Sequence, residues 1–62
     1  IELAIPSLVQ LLGAEEPLLR GEAVSLLGII GSDQALAHVR SRHDDPSPRV
    51  REVVDLVLQD RT

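Results

Sequence analysis

The sequence predicts an all-α fold: four helices arranged as two helix-turn-helix repeats, which together form a piece of an α-solenoid. One observation is the stretch 17–31, where apolar residues follow the 3, 4, 7 spacing of a single helix face. Another is that residues 48–60 repeat this pattern 31 positions later. We therefore expect one domain over residues 1–62, with repeat one at residues 1–31 and repeat two at residues 32–62.

The composition limits both the core and the class of function. The 62-residue chain has no aromatic residue and no cysteine, so Leu, Ile, Val and Ala must build its core, which suits helix-on-helix packing. Its net charge of −4 argues against nucleic-acid binding, which needs a basic surface. No apolar run approaches the ~20 residues of a membrane span, so we expect no membrane contact. The absence of cysteine fits a reducing compartment, and we expect a cytoplasmic location.

The first helix is predicted to begin near residue 3 or 4 and to end at residue 12. Pro6 sets its start, because proline is tolerated without a kink only in the first turn of a helix. A short acidic turn follows at residues 13–16. The apolar stripe of this helix is predicted to consist of Ile5, Leu8, Leu11 and Leu12.

The second helix is predicted over residues 17–30. Pro17 suits a first helical position, where its missing N–H costs nothing, and Gly31 suits the left-handed residue that ends a helix. Gly21 and Gly28 lie inside the helix at a cost of roughly 1 kcal/mol each relative to alanine, although a glycine also admits a close neighbour. The buried face is predicted to comprise Leu19, Ala23, Leu26, Leu27 and Ile30.

The second repeat contains two further helix starts. Ser32 is a good N-cap for a third helix over residues 33–42, and Ser47 before Pro48 marks the start of a fourth helix that ends near residue 59. The third helix offers few apolar residues to the core, namely Ala35, Leu36 and Val39. The fourth is predicted to bury Val50, Val53, Val54, Val57 and Leu58.

Three segments carry a resemblance to a known family. Residues 4–12 read AIPSLVQLL, residues 17–31 read PLLRGEAVSLLGIIG, and residues 45–51 read DPSPRVR. They resemble HEAT-like repeats of the phycobilisome-lyase type, which commonly read A-I-P-A-L-I-E-L-L, a D-P-rich turn, and P-x-V-R-x-x-A-x-x-A-L-G-x-I-G. The likeness covers nearly the whole chain and implies stacked helix pairs. It is unspecific for function, because such repeats occur in many scaffolds.

The resemblance also implies a role for two arginines. In such repeats Arg20 and Arg51 would reach acidic turn residues of the same or the next repeat. On this basis Asp45 is placed for Arg51, and either Asp44 or Asp45 for Arg20. Repeat one has Ala14 where an aspartate is expected. We expect both arginines to be structural rather than ligand contacts.

Repeat two departs from repeat one in polarity. It carries Arg40, Arg42 and His43 where repeat one has apolar residues at positions 9, 11 and 12. A helix that loses its apolar positions cannot cover a further repeat, and terminal repeats need a polar outer face. We therefore predict that repeat two is a C-terminal cap.

Repeat one carries more apolar residues than a single repeat needs, and Leu18 and Ile29 stand where the resembling family usually has charges. Such a surface should be covered by a preceding repeat, another subunit or a partner. The alternative is an ordinary scatter of surface apolar residues. Two repeats fall short of the three or so usually needed for stability, so we predict self-association as a homodimer. The predicted contacts are Ile1, Leu3, Val9, Leu18 and Ile29.

Signatures of catalysis and metal binding are weak. His43 beside Asp44 lacks the further ligands of a metal site and suits a solvated turn. Neither Ser25 nor Ser41 has the patterned histidine and acid of a nucleophile. The HEAT-like deoxyhypusine hydroxylases carry His-Glu pairs in a context like L-L-R-H-E, and Gly21 stands here at the histidine position. We expect no catalytic residue, no metal and no cofactor.

These observations favour a non-catalytic protein–protein interaction or scaffold module. The chain begins with Ile rather than Met, so we expect a fragment of a longer solenoid that contacts neighbouring repeats or a protein or peptide partner. The alternative is the non-catalytic portion of a lyase-like, tetrapyrrole-handling enzyme or of a hydroxylase-like enzyme. The second helix of each repeat usually lines the concave surface of such solenoids. The predicted partner-binding residues there are Arg20, Glu22, Ser25, Arg51, Glu52, Asp55 and Gln59.

Overall fold

The computed structural model describes residues 4–59. Four helices make up most of this part of the chain: α1 (Ile5–Leu12), α2 (Pro17–Ile30), α3 (Asp33–Arg40) and α4 (Pro48–Gln59). No strand occurs between residues 4 and 59, so the predicted all-α fold of four helices is confirmed there. The central helix is α2, which packs against each of the other three and most extensively against α4.

Local sequence signals set the helix ends. Pro17 occupies the first turn of α2, and Gly31 ends that helix in the left-handed conformation with φ of 70°. The Gly31 N–H donates to the carbonyl oxygen of Leu27 at 3.0 Å. At the start of α3, the hydroxyl oxygen of Ser32 accepts a hydrogen bond from the Ala35 N–H at 3.2 Å. Both the glycine stop and the serine cap predicted from the sequence are confirmed.

The third helix ends two residues earlier than predicted, at Arg40 rather than residue 42. The chain there tightens into turns whose hydrogen bonds span three residues. The Arg42 N–H donates to the Val39 carbonyl at 3.1 Å, and the His43 N–H donates to the Arg40 carbonyl at 3.2 Å. A tighter turn of this kind has fewer residues per turn than an α-helix. Asp45, two residues after His43, then lies in the interior.

The core is aliphatic and draws on all four helices. The three apolar residues predicted for α3 are all buried. In α1, Leu11 was predicted to be buried but is exposed, because Ile5, Leu8 and Leu12 form the inward side of that helix. The core cluster consists of Ile5, Leu8, Leu12, Ala23, Val24, Leu27, Ala35, Val39, Val50 and Val54.

The buried side of α2 differs from the prediction. Leu19 and Leu26 were expected in the core but are 45% and 42% exposed. Val24 is buried instead, together with Gly28. The reason is the position of α4, which lies against the glycine side of α2: a Cβ added to Gly28 would lie only 2.8 Å from Cγ1 of Val57. The apolar stripe predicted for α2 therefore combines buried residues, such as Ala23 and Leu27, with residues on an exposed side, Leu19 and Leu26.

Candidate functional site

A buried carboxylate joins the two repeats. Asp45, which is 1% exposed, lies in the turn between α3 and α4. Its Oδ2 accepts hydrogen bonds from Arg20 Nε at 3.0 Å and Arg42 Nη2 at 2.7 Å. Its Oδ1 accepts from Arg20 Nη2 at 3.1 Å and from the Ser47 N–H at 2.9 Å. We call these four residues the Asp45 cluster. Both carboxylate oxygens are fully occupied, and the bidentate contact from Arg20 fixes the turn against α2.

Arg20 also holds the turn that precedes its own helix. Its Nη1 donates to the backbone carbonyls of Ala14 at 2.8 Å and Glu15 at 2.9 Å. Of the two carboxylates expected for Arg20, Asp45 is the one it binds. Arg20 is only 8% exposed, so its predicted place on a partner-facing surface is corrected: the guanidinium points into the molecule.

The surroundings of Asp45 keep it ionised. Burial alone would raise the pKa of Asp45, because desolvation disfavours a charged carboxylate. Hydrogen bonds from Arg20, Arg42 and the Ser47 N–H, together with the positive charge of Arg20, outweigh that effect and hold the pKa well below its usual range. A carboxylate that is permanently charged and fully hydrogen-bonded suits a structural role rather than proton transfer.

Arg51 repeats only part of the Arg20 arrangement. Its Nη1 donates to the backbone carbonyl of Asp45 at 2.6 Å, as Arg20 Nη1 donates to that of Ala14. Arg51 thus reaches Asp45, the turn residue expected for it, but through the backbone carbonyl, because Arg20 and Arg42 occupy the carboxylate. Sequence reasoning missed Arg42, although its spacing of three residues from Asp45 was visible. Arg42 Nε is buried without a hydrogen-bond partner among the described residues.

The α2–α4 interface has a glycine side and a valine side. A Cβ added to Gly21 would lie 3.8 Å from Cγ2 of Val53, and Gly28 lies against Val57. The two helices begin 31 residues apart, and their arginines make the equivalent contact described above. The same positions in the two helices therefore point in the same directions relative to their own repeat.

This correspondence defines two further faces. On α4, Val53 and Val57 meet α2, and Val50 lies on the same side of the helix. The residues of α2 that correspond to these three valines are Leu19, Glu22 and Leu26, which we call the open face of α2. The residues on the glycine side of α2, Gly21, Val24 and Gly28, correspond to Glu52, Asp55 and Gln59, which we call the polar face of α4. All six residues of the open and polar faces are exposed. At 3.6 residues per turn, the open face of α2 lies about 160° from its glycine side.

The remaining partner-binding residues predicted from the sequence thus fall on different sides of the molecule. Glu22 lies on the open face of α2, and Ser25 is exposed on the same helix between that face and the glycine side. Arg51 is exposed at the start of α4 and reaches back to the turn before it. The last three residues of the predicted set, Glu52, Asp55 and Gln59, form the polar face of α4. The structure therefore does not bring the predicted set together into one surface.

The residues predicted for self-association are also divided. Ile1 and Leu3 lie outside the described residues. Val9 is half-buried and packs against the core, so most of it is already covered. Leu18 and Ile29 are 54% and 79% exposed.

Two kinds of site are absent from residues 4–59. No group of three or more His, Asp or Glu side chains there is arranged to hold a metal ion. None of the helices in this range has both the length and the apolar character needed to cross a membrane.

Comparison with known proteins gives one match. A family model described as HEAT repeats matches residues 2–59, which is nearly the whole chain. A search of the curated proteins and a search of the solved structures each found no match to this chain.

Proposed function

The chain belongs to the HEAT-repeat family, and from that premise we propose that it is a non-catalytic protein–protein interaction or scaffold module. HEAT repeats generally form helical scaffolds that contact other proteins. The observation that carries the proposal is the difference between the buried contacts and the exposed sides of α2 and α4. Arg20 in α2 and Asp45 in the turn before α4 form the buried contact that joins the two repeats, whereas the exposed sides of α2 and α4 present apolar and charged residues that take no part in that contact.

The proposed contact residues are the exposed members of the predicted set, with Arg20 removed because it is buried. The mixed charge on α4, together with Glu22 on α2, supports a protein or peptide partner or a neighbouring repeat. The set now comprises Glu22, Ser25, Arg51, Glu52, Asp55 and Gln59.

The finer assignments are part of the same proposal. The AIPSLVQLL and DPSPRVR segments support the phycobilisome-lyase type of HEAT-like repeat. The lack of cysteine supports the cytoplasm as the compartment. Exposed Arg40 and His43, together with the polar face of α4, support repeat two as a C-terminal cap. Exposed Leu18 and Ile29 support a homodimer formed through repeat one.

Charge reversal on each helix tests the proposal. The variants Glu22→Arg and Asp55→Arg alter the exposed sides of α2 and α4 separately, and Glu15→Arg makes the same charge change in the turn before α2. Proteins captured from a lysate by the wild-type chain should be lost with at least one of the first two variants and retained with the third. Unchanged capture by the double variant Glu22→Arg/Asp55→Arg would contradict the proposed contact set.

A further inference from the structure

One peptide bond in the turn before α4 has a chemistry that the interaction role does not use. Asp45 is followed directly by Pro46, and no other Asp–Pro pair occurs in the sequence. Asp–Pro is the peptide bond that dilute acid breaks most readily, because the aspartate carboxyl group can attack its own backbone carbonyl carbon and the proline nitrogen accepts a proton readily. Attack within one residue avoids the entropic cost of bringing two groups together. The bond between Asp45 and Pro46 therefore carries its own nucleophile.

The cleavage of such a bond consumes one water molecule and nothing else. One oxygen of the protonated carboxyl group adds to the carbonyl carbon of Asp45, and the carboxyl proton passes to the nitrogen of Pro46. The bond between that carbon and that nitrogen breaks with its electron pair left on the nitrogen, and Asp45 is left as a five-membered cyclic anhydride. Water then opens the anhydride into two carboxyl groups. The products are residues 1–45 and residues 46–62, so the cut separates α4 from the other three helices.

The Asp45 cluster holds this nucleophile inactive in the folded protein. Oδ1 and Oδ2 of Asp45 each accept two hydrogen bonds, which come from Arg20, Arg42 and the Ser47 N–H. Because every partner is a donor, neither oxygen can take up a proton or turn towards the backbone carbonyl unless one donor is displaced. The same donors hold the pKa of Asp45 well below its usual range, so the carboxyl group stays ionised.

The carbonyl group of the same bond has a cationic donor in place. Arg51 Nη1 donates to the backbone carbonyl oxygen of Asp45 at 2.6 Å. Negative charge develops on this oxygen when the carboxyl group adds to the carbonyl carbon, and a donor that is already positioned there stabilises that charge. The folded protein thus keeps the carbonyl carbon activated while its nucleophile is held away.

We propose that the bond between Asp45 and Pro46 is a latent self-cleavage site. Asp45 supplies the nucleophile, Arg51 stabilises the oxyanion, and the donors of the Asp45 cluster prevent the reaction while the cluster is intact. Mild acid combined with the displacement of one donor starts it. The reaction occurs once per molecule, and it makes a brief disruption of the cluster permanent, because α4 packs most extensively against α2 and is then no longer joined to it by the chain.

Unfolding the chain tests the protection. Wild type is kept at about pH 4, near the ordinary pKa of aspartate, with and without enough urea to unfold it, and mass spectrometry follows the fragments 1–45 and 46–62 over time. The unfolded chain should be cut at this bond, and unfolded Asp45→Asn should stay intact there. Folded wild type should be cut at least about tenfold more slowly, because only an opened cluster reacts. Equal rates for the folded and the unfolded chain would overturn the proposal.

A pair of arginine variants tests the cluster itself. Arg42→Met removes one donor from Asp45 Oδ2, and Arg40→Met removes the same charge from an exposed position outside the cluster. Both are incubated without urea, after circular dichroism has shown native helicity. Arg42→Met should be cut at least about tenfold faster than wild type, as expected for the loss of a hydrogen bond to a charged group. Arg40→Met should be cut at the wild-type rate, and equal rates for the two variants would contradict the protective role of the cluster.

The contribution of Arg51 distinguishes cleavage in the folded domain from cleavage after unfolding. Arg51→Met removes a hydrogen bond that stabilises the fold, so it would speed up a reaction that occurs only in the unfolded chain. Because Arg51 stabilises the oxyanion, adding Arg51→Met to Arg42→Met should instead slow cleavage at least about threefold. Arg51→Met alone, compared with wild type, gives the same test if the double variant loses its helicity. An unchanged or faster rate would overturn the proposal, because the bond would then break without the folded site.

Discussion

Repeat one and repeat two share a helix pattern but differ in what surrounds it. The side of α2 that meets α4 carries two glycines and a valine, whereas the same side of α4 carries Glu52, Asp55 and Gln59. Arg20 binds a buried carboxylate of the next repeat, and the equivalent Arg51 binds a backbone carbonyl of its own. Equivalent residues thus acquire different roles, because within residues 4–59 Arg20 reaches the turn of the next repeat, whereas Arg51 reaches the turn of its own repeat.

The largest expected loss of stability comes from removing the carboxylate of Asp45, which Arg20 binds and Arg51 does not. Asp45→Ala leaves Arg20 buried without its partner, and breaking a buried pair in this way costs about 3–5 kcal/mol. A domain of this size has about 3–9 kcal/mol of stability in total. We expect most of the helical signal to be lost in circular dichroism at 25 °C. Asp44→Ala, in the exposed neighbour, should change the urea midpoint little, and similar midpoints for the two variants would contradict the central role of Asp45.

The two arginines allow the comparison to be measured directly. Arg20→Met should lower the free energy of unfolding by about 3 kcal/mol, because the buried Asp45 keeps only part of its hydrogen bonds. Arg51→Met removes a partly buried hydrogen bond to a backbone carbonyl and should cost about 1 kcal/mol. Urea titrations at one protein concentration give both values. Equal losses would mean that the equivalent positions have equal roles after all.

The low pKa of Asp45 predicts a specific loss of stability in acid. Because the pKa is lower in the folded state, the unfolded chain binds more protons as the pH falls through its own value of about 3.9. The contribution of Asp45 is therefore complete above that pH and declines below it, by up to about 1.4 kcal/mol per pH unit. Comparing wild type with Asp45→Asn by urea titration between pH 7 and 2.5 isolates this slope. A constant difference between the two proteins would contradict the prediction.

The smallest effects concern the two glycines of the α2–α4 interface. Gly21→Ala has room for its methyl group and should stabilise the protein by about 0.5–1 kcal/mol through helix propensity. Gly28→Ala gains the same propensity but forces Val57 away, for a net loss of about 1 kcal/mol. Thermal or urea unfolding should give shifts of opposite sign. Stabilisation by both substitutions would show that the helices separate easily at this point.

The sequence was sufficient for features that depend on neighbours in the chain. The bounds of α2, the left-handed Gly31 and the Ser32 cap were all predicted, because each is set by residues within one helical turn. The pairing of Arg20 with an acidic turn residue came from the family resemblance, which narrowed it to Asp44 or Asp45.

The features that were missed depend on which surfaces meet. Leu19 and Leu26 follow the helical spacing as well as Leu27 does, and spacing alone does not distinguish a core side from a side left open. The Asp45 cluster joins residues 25 positions apart, and three arginines compete for it. Because α3 ends at Arg40, Arg42 lies in the turn beside Asp45 and binds its carboxylate, whereas Arg51 binds the Asp45 backbone carbonyl.

Asp45 accepts hydrogen bonds from both repeats, and this arrangement also affects how the protein unfolds. The Ser47 N–H lies at the start of α4 and Arg20 lies in α2, so opening either repeat exposes the same ionised oxygens without their partners. We therefore expect no unfolding intermediate in which one repeat is melted while the other stays folded. Hydrogen exchange should accordingly report one cooperative unit, with the hydrogen-bonded amides of α2 and the N–H groups of Ser47 and Arg51 opening together at the free energy of global unfolding.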